Sequence, residues 1–338
     1  MSQRVFVAMS GGVDSAAAAL LLRQAGYNVT GVTLRLHPYK DRPGLCGSAD
    51  DIETARAVAA GMGVPQVVLD RFVWAYTHGR TPNPCIDCNR EIKFGALLDW
   101  ALDQGADAMA TGHYARVRLD TPSGRWQLLR GADRRKDQTY FLYQLTQHQL
   151  AHLLLPVGDY DKPAIRDKSR EAGLDNADKG DSQDICFVPD GDYVTFLQQQ
   201  GLTLTPGDFL DEAGRVLGRH RGLPCYTIGQ GMGRQVYVLE KERDRNAIVL
   251  GDDAALYAAS LLASHVNWIS GQIPAVPVRC AAKTRYSQVE TPCTAYPLPD
   301  GGLRVVFDLP QRAITAGQAV VLYDGDEVLG GGTIEKSE

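Results

Sequence analysis

The sequence predicts an α/β protein with a mostly parallel sheet, followed by turn-rich β structure and a small β-barrel or sandwich. Three observations carry this. The first third of the 338-residue chain alternates short β-rich runs with longer helical patterns, the signature of βαβ units. From about Thr203 the chain changes to short strands punctuated by turn residues. The final stretch, opening with PVRCAAKTRY, carries turn signals at the spacing of a small barrel.

Element by element, residues 4–9 read as a first strand. SAAAALLLRQAG reads as a buried helix closed by Gly26. Residues 29–34 form a second strand, DDIETARAVAAGMG a helix with an acidic first turn, and residues 67–70 a third strand. NREIKFGALLDWALDQG supplies another helix, and ADAMATGHY a strand ending in a turn. In such sheets ligands sit beyond the C-terminal strand ends, where MSGGVDS and ATGHY both fall.

Composition narrows the class. A chain that is 44% hydrophobic and 22% charged can bury a core, and a formal charge of −5 argues against a protein that coats nucleic acid non-specifically. A local basic patch remains, in LLRGADRRKDQ. No apolar stretch approaches the ~20 residues that span a bilayer, and a strand at the N-terminus leaves no room for a signal peptide. The expectation is a soluble cytoplasmic protein without a membrane partner. The seven cysteines therefore read as reduced thiols, catalytic groups or metal ligands. Cys46, Cys225, Cys280 and Cys293 read as structural.

MSGGVDS, residues 9–15, joins a strand to a helix. Gly11 and Gly12 let phosphate oxygens approach the backbone, Ser10 and Ser15 add hydroxyls, and the helix presents its positive end. Asp14 suits Mg²⁺. The lysine of the usual nucleotide loop, G-x-x-x-x-G-K-[ST], is missing. The stretch resembles the PP-loop family of ATP pyrophosphatases, whose signature is SGGxDS. That resemblance implies an adenine nucleotide alpha hydrolase-like sheet, ATP cleaved between its α and β phosphates, and a substrate oxygen adenylated.

TPNPCIDCNREIKF places Cys85 and Cys88 ahead of a helix expected to begin near Asn89 or Arg90, where thiolates would be stabilised. GDSQDICF places Cys186 between Ile185 and Phe187. The loop, GRTPNPCIDCNREIKF, ATGHY, KDQTYFLY, DSQDICF, YTIGQ, KTRY and TAGQAVVLY together resemble the bacterial tRNA 2-thiouridylase branch of the PP-loop family over nearly the whole chain.

This resemblance implies a sulfurtransferase acting on the wobble uridine of the tRNA anticodon loop, in three parts: 1–203, 204–262 and 263–338. It implies that Ala8, Met9, Ser10, Gly11, Gly12, Val13, Asp14 and Ser15 hold ATP, with Leu34 and Gly112 lining the adenosine. Cys88 matches the nucleophile and Cys186 the persulfide carrier, and the two would pair as a disulfide after turnover. Asn83, Pro84 and Cys85 match positions that meet the target base. His113, Lys136, Asp137, Gln138, Arg285, Tyr286 and Gln318 match positions that contact tRNA. The implied partners are tRNAs with Lys, Glu and Gln acceptors, and a sulfur donor such as a cysteine desulfurase or a sulfur relay protein.

The chain departs from the family in four places, one of them Leu34 where methionine is common, a swap of similar volume that should matter little. Cys85 stands where aspartate is common, so Cys85, Cys88 and Cys186 are candidate ligands of a [4Fe–4S] cluster. The competing reading is a persulfide and disulfide cycle with Cys85 a bystander, and both stand open on sequence. RFVWAYTHGR and GQGMGRQVYV are shortened, which bears on tRNA affinity and donor docking. Two other classes remain: a PP-loop synthetase that adenylates a small molecule for amination, which needs no cysteine pair, and a non-enzymatic tRNA-binding module, which needs no intact loop.

Overall fold

The computed structural model describes residues 2–33, 64–178, 185–188 and 191–338. Its first sheet is parallel, in the order β2-β1-β3-β6, from β1 (Arg4–Ala8), β2 (Asn28–Val32), β3 (Ala108–Ala110) and β6 (Leu153–Leu154). Alternation along β1 divides its side chains between two layers. Val5 and Val7 pack with helix α1 (Val13–Gln24). Phe6, between them, faces the opposite core with Leu97 and Leu98.

Residues 67–70 are not a strand; they lie within helix α2 (Val64–Thr77). Val68, Phe72, Ala75 and Tyr76 are buried at the three- and four-residue spacing of one helical face. The short run VVLD could not reveal this alone. The cysteine-bearing helix also starts earlier than expected. Pro84 opens helix α3 (Pro84–Asp87), which continues as a π-helix over Cys88–Ala96 and then as α4 (Leu97–Asp103). Proline suits a first helical position because its missing N–H would be unpaired there anyway. Leu34, Cys46 and the expected helix over residues 50–63 lie outside the described residues.

A second sheet, in the order β8-β7-β10-β9, is built from β7 (Gly207–Leu210), β8 (Val216–His220), β9 (Tyr237–Glu242) and β10 (Ala247–Gly251). The shortened GQGMGRQVYV segment turns tightly before β9, with Arg234 and Gln235 at φ 48° and 60°. Six strands then close a barrel: β11 (Tyr257–Trp268), β12 (Val278–Lys283), β13 (Thr291–Pro297), β14 (Leu303–Arg312), β15 (Ala319–Asp324) and β16 (Glu327–Ser337). Closure comes from β11, which pairs with both β14 and β16. The β11 strand runs across the expected division at 262/263. Cys280 and Cys293 face each other across β12 and β13 with sulfurs 3.6 Å apart, both buried.

The barrel is joined to the first domain by sheet and by core. The hairpin β4 (Ala115–Asp120) and β5 (Arg125–Arg130) meets β16 at Leu129↔Glu327. Tyr140, Leu142, Tyr143 and Leu145 of the KDQTYFLY stretch and its continuation share one core with Ala319, Val321, Tyr323 and Val328 of the barrel. The Tyr140 hydroxyl donates to the Ala319 carbonyl at 2.9 Å. Arg130 belongs to this junction rather than to an exposed basic patch: it is 4% exposed, lies 3.9 Å from the Tyr323 ring and pairs with Glu290 at 3.0 Å. Among the described residues, no helix is long and apolar enough to cross a membrane.

Candidate active site

The loop after β1 is held by its own backbone and hydroxyl groups. Gly11, at φ 75°, turns the chain, and Gly12 caps α1 without a side-chain cap bond. The Ser15 hydroxyl donates to the Gly12 carbonyl at 3.0 Å and stands 3.2 Å from that of Ser10. Asp14 opens α1. Its carboxylate accepts from the Tyr114 hydroxyl at 2.8 Å and from the Lys162 ammonium at 2.8 Å on both oxygens.

Gly112, expected beside the adenosine, touches the loop itself. A Cβ there would stand 2.5 Å from the Asp14 carbonyl carbon and 2.7 Å from the Ser15 nitrogen. The next residue, His113, faces the cysteine helix, with its ring 5.7 Å from that of Phe94 and its Nδ1 2.7 Å from the Thr111 hydroxyl. Burial, reinforced by the positive charge of Lys93, holds the imidazole neutral, well below its usual range.

Cys85 and Cys88 lie in the first turns of the long helix. Cys88, Ile185, Phe187 and Val188 belong to one apolar cluster with Val68, Phe72 and Ile92, so the segment carrying Cys186 is seated beside Cys88. Cys186 and Cys85 are exposed and Cys88 is partly exposed. The surroundings of the three thiols work against the expected stabilisation of thiolate. Although Cys85 keeps solvent access, the protein packed around its sulfur pushes the thiol up to about 11, with Lys93 opposing and Cys186 and Cys88 adding to the rise. Cys88 and Cys186 are raised for the same first reason, again with Lys93 opposing. Crowding by protein in a cleft outweighs the helix end, and Cys88 sits past the first turn, where the dipole fades.

Lys93 is the residue that sequence reading missed. Five positions after Cys88, it would lie roughly 140° away around an α-helix. The wider i→i+5 winding turns it back toward the Cys88 side, and its positive charge acts on that thiol. Gly95, at φ −93° and ψ −105°, kinks the helix at the end of this stretch, where a Cβ would approach the Arg90 carbonyl oxygen to 2.8 Å. Among the described residues, no carboxylate pairs with Lys93. Its charge faces three thiols and a neutral imidazole.

Alkylation should report this arrangement. At pH 8, Cys85 is expected to react with iodoacetamide roughly tenfold or more slower than a free cysteine, its higher intrinsic nucleophilicity offsetting part of the lost thiolate. Because the thiol pKa is raised, the rate should keep climbing beyond pH 9. Lys93→Ala should slow it further and Lys93→Arg restore it. A plateau near pH 8.5 would contradict the assignment.

The fit of an iron–sulfur cluster is poor. Among the described residues, no three cysteine, histidine or carboxylate side chains converge as a metal-binding group.

Three family models cover the chain. One described as a tRNA methyl transferase HUP domain matches residues 3–190. A tRNA methyl transferase PRC-barrel domain matches 194–252, and an aminomethyltransferase beta-barrel domain matches 258–334. The tRNA-specific 2-thiouridylase MnmA of Symbiobacterium thermophilum is 47% identical, covering 100% of this chain and 93% of that protein. This chain belongs to the tRNA-specific 2-thiouridylase family. Proteins of the same name from Moorella thermoacetica and Acetivibrio thermocellus are 48% and 44% identical, over 97% and 98% of this chain and 98% and 99% of their own.

The positions at which the thiouridylase resemblance expects tRNA divide into two kinds. Tyr286 is 37% exposed and lies 4.5 Å from the Phe141 ring, an aromatic surface open to solvent. Lys136 is half-buried. Asp137 and Arg285 are held by bonds within the protein. Asp137 is 4% exposed and accepts from Gly131 N at 3.1 Å and from the Thr139 hydroxyl at 2.7 Å. Arg285 donates to the carbonyls of Ile228 and Ala313 and to the Thr315 hydroxyl at 3.0, 2.9 and 2.7 Å, tying the middle domain to the barrel. Gln138 accepts from Tyr114 N at 2.9 Å.

Gln318 reaches the Thr81 carbonyl at 2.9 Å, Thr81 N donates to Ala316 at 3.0 Å, and Arg80 pairs with Glu335. The barrel's TAGQ turn thus braces the chain just before Asn83, Pro84 and Cys85. Of the arginines beside Lys136, Arg134 pairs with Asp326 while Arg135 stays largely exposed.

Proposed function

We propose that this protein uses ATP to activate O2 of a tRNA wobble uridine and replaces that oxygen with sulfur. The observation that carries the reading is the continuous path from the nucleotide loop to the thiols. Gly112 lies against Asp14 and Ser15, His113 follows, and its ring faces Phe94 and feels Lys93, whose charge bears on Cys85, Cys88 and Cys186. An adenylated base set on Gly112–His113 would have the loop on one side and sulfur on the other.

In this reading uridine O2 attacks the α-phosphate, the bond to the β-phosphate breaks, and pyrophosphate leaves into the Ser10–Gly12 cradle. Asp14 would hold Mg²⁺, which supplies charge neutralisation for the phosphates. The outer sulfur of a Cys186 persulfide attacks C2, and AMP departs with the original oxygen. The Cys88 thiolate then attacks the Cys186 sulfur, releasing the thiocarbonyl and leaving a Cys88–Cys186 disulfide. A dithiol reductant must return both thiols for the next cycle. Lys93 stabilises the anionic sulfur at each stage. The persulfide cycle is favoured over cluster-bound sulfide because the three cysteines form no ligand group. An anticodon-loop base can be turned out into such a site, whereas a duplex base could not.

The deciding experiment is mass spectrometry of nucleosides from tRNA incubated with the protein, ATP, Mg²⁺ and a sulfur source. ATP-dependent 2-thiouridine is expected. Its absence, with ATP consumed on a small amine acceptor instead, would favour the synthetase reading.

A further inference from the structure

The core of the barrel holds a pair of thiols. Cys280 of β12 stands directly opposite Cys293 of β13, with the sulfurs 3.6 Å apart. Directly opposed residues of an antiparallel pair have Cα atoms about 4.5–5.5 Å apart, inside the range that a disulfide spans. The sulfurs need only close to about 2.05 Å, by rotation about the two Cα–Cβ bonds. Ala282 and Ala295 share that core face, and such small neighbours leave the sulfurs room to turn. The pair is unsymmetrical. Cys280 is 9% exposed and Cys293 0%. The hydrogen bond from Cys293 lowers Cys280 below the usual thiol range, against the pull of burial and with Arg279 helping, and the same bond raises Cys293.

We propose that Cys280 and Cys293 are a peroxide-sensitive dithiol that closes into a disulfide and staples hairpin β12–β13 at the base of its loop. That loop, residues 284–290, carries Arg285, which ties the barrel to the middle domain, and Tyr286, exposed beside Phe141. The Cys280 thiolate attacks one oxygen of hydrogen peroxide, the O–O bond breaks, and hydroxide leaves to become water. Cys293 then attacks the sulfur of the Cys280 sulfenic acid, whose oxygen departs as a second water with the Cys293 proton. The two thiols lose two electrons and the peroxide gains them. A water-sized oxidant suits a thiol with so little exposure, whereas a disulfide reagent must seat a whole second thiol beside Cys280. A pair that only fills the core would stay reduced under the same treatment.

Non-reducing tryptic mapping of the full-length protein after hydrogen peroxide treatment tests this. Peptide 280–283 is expected joined to peptide 286–304 in most molecules. Recovery of both as free thiols, once the exposed Cys85 and Cys186 have been oxidised, would overturn the proposal, and so would Cys280 sulfinic acid without the link. Oxidised glutathione should form the link at least about tenfold more slowly, and an equal rate would overturn peroxide as the oxidant. In Cys293→Ser, dimedone should capture a sulfenic acid on Cys280, and in Cys280→Ser none on Cys293; the reverse pattern would overturn the order of attack. Where either variant fails to fold, hydrogen exchange on the wild type decides. Amides of residues 281–292 should exchange about 10- to 100-fold more slowly after oxidation, and unchanged exchange would overturn the staple.

Discussion

Cys186→Ser is expected to lower ATP-dependent 2-thiouridine formation by at least about a thousandfold, with Cys88→Ser close to it and the double variant little worse than either. Serine keeps the volume but cannot carry a persulfide or act as a leaving group at sulfur. Neither residue is a packing keystone, since Cys186 is exposed and Cys88 only borders its apolar cluster. Folding should survive, and ATP affinity should stay at the wild-type value because the loop lies on the other side of Gly112–His113. Nucleoside mass spectrometry and ATP calorimetry on the same preparations check both halves. Cys85→Ala should retain most turnover and contain no less iron than wild type. Substantial thiolation in both serine variants would remove the thiols from the chemistry.

Gly112→Ala adds one methyl group and is expected to disable the nucleotide site. The new carbon would meet the Asp14 carbonyl carbon at 2.5 Å, the Ser15 nitrogen at 2.7 Å and the Asp14 oxygen at 2.8 Å. All three are backbone atoms, so no rotamer change relieves the overlap. Either the strand end or the first turn of α1 must move, and Tyr114 is bonded to Asp14 across that gap. Overpacking of this kind costs about 3 kcal/mol, readable as a lower denaturant midpoint. Displacing the cradle should weaken ATP by at least about tenfold. A variant with the wild-type midpoint and ATP affinity would show that the contact yields without consequence.

The parts of this site that were legible in the sequence are those whose chemistry is contiguous. MSGGVDS carries its turn, hydroxyls and carboxylate within seven residues, and β1 and β3 announce themselves by composition. What stayed hidden depends on winding or on distance. The two-residue strand Leu153–Leu154 is too short to leave a pattern. Residues 67–70 read as a strand because an apolar run of four fits either period. A π-helix has no residue signature, so Lys93 could not be placed on the Cys88 side; the glycine at 95 was the one available hint. Lys162 sits in KPAIRDKSRE, which looks like any charged surface helix until Asp14 is folded against it. Arg130 reads as a nucleic-acid cation because a guanidinium buried where two domains join is spelled no differently from one awaiting a phosphate.

The bracing of Thr81 by the TAGQ turn, and the core shared by Tyr140 and Tyr143 with Ala319 and Val321, bear on how such a chain can be cut or recombined. A gene fragment ending near residue 203 would encode both halves of the chemistry yet strip the wall from two tyrosines and the brace from the cysteine segment. The nucleotide-binding portion is therefore not a portable cassette. Swaps between relatives should succeed only when the last eighty or so residues travel with the first two hundred.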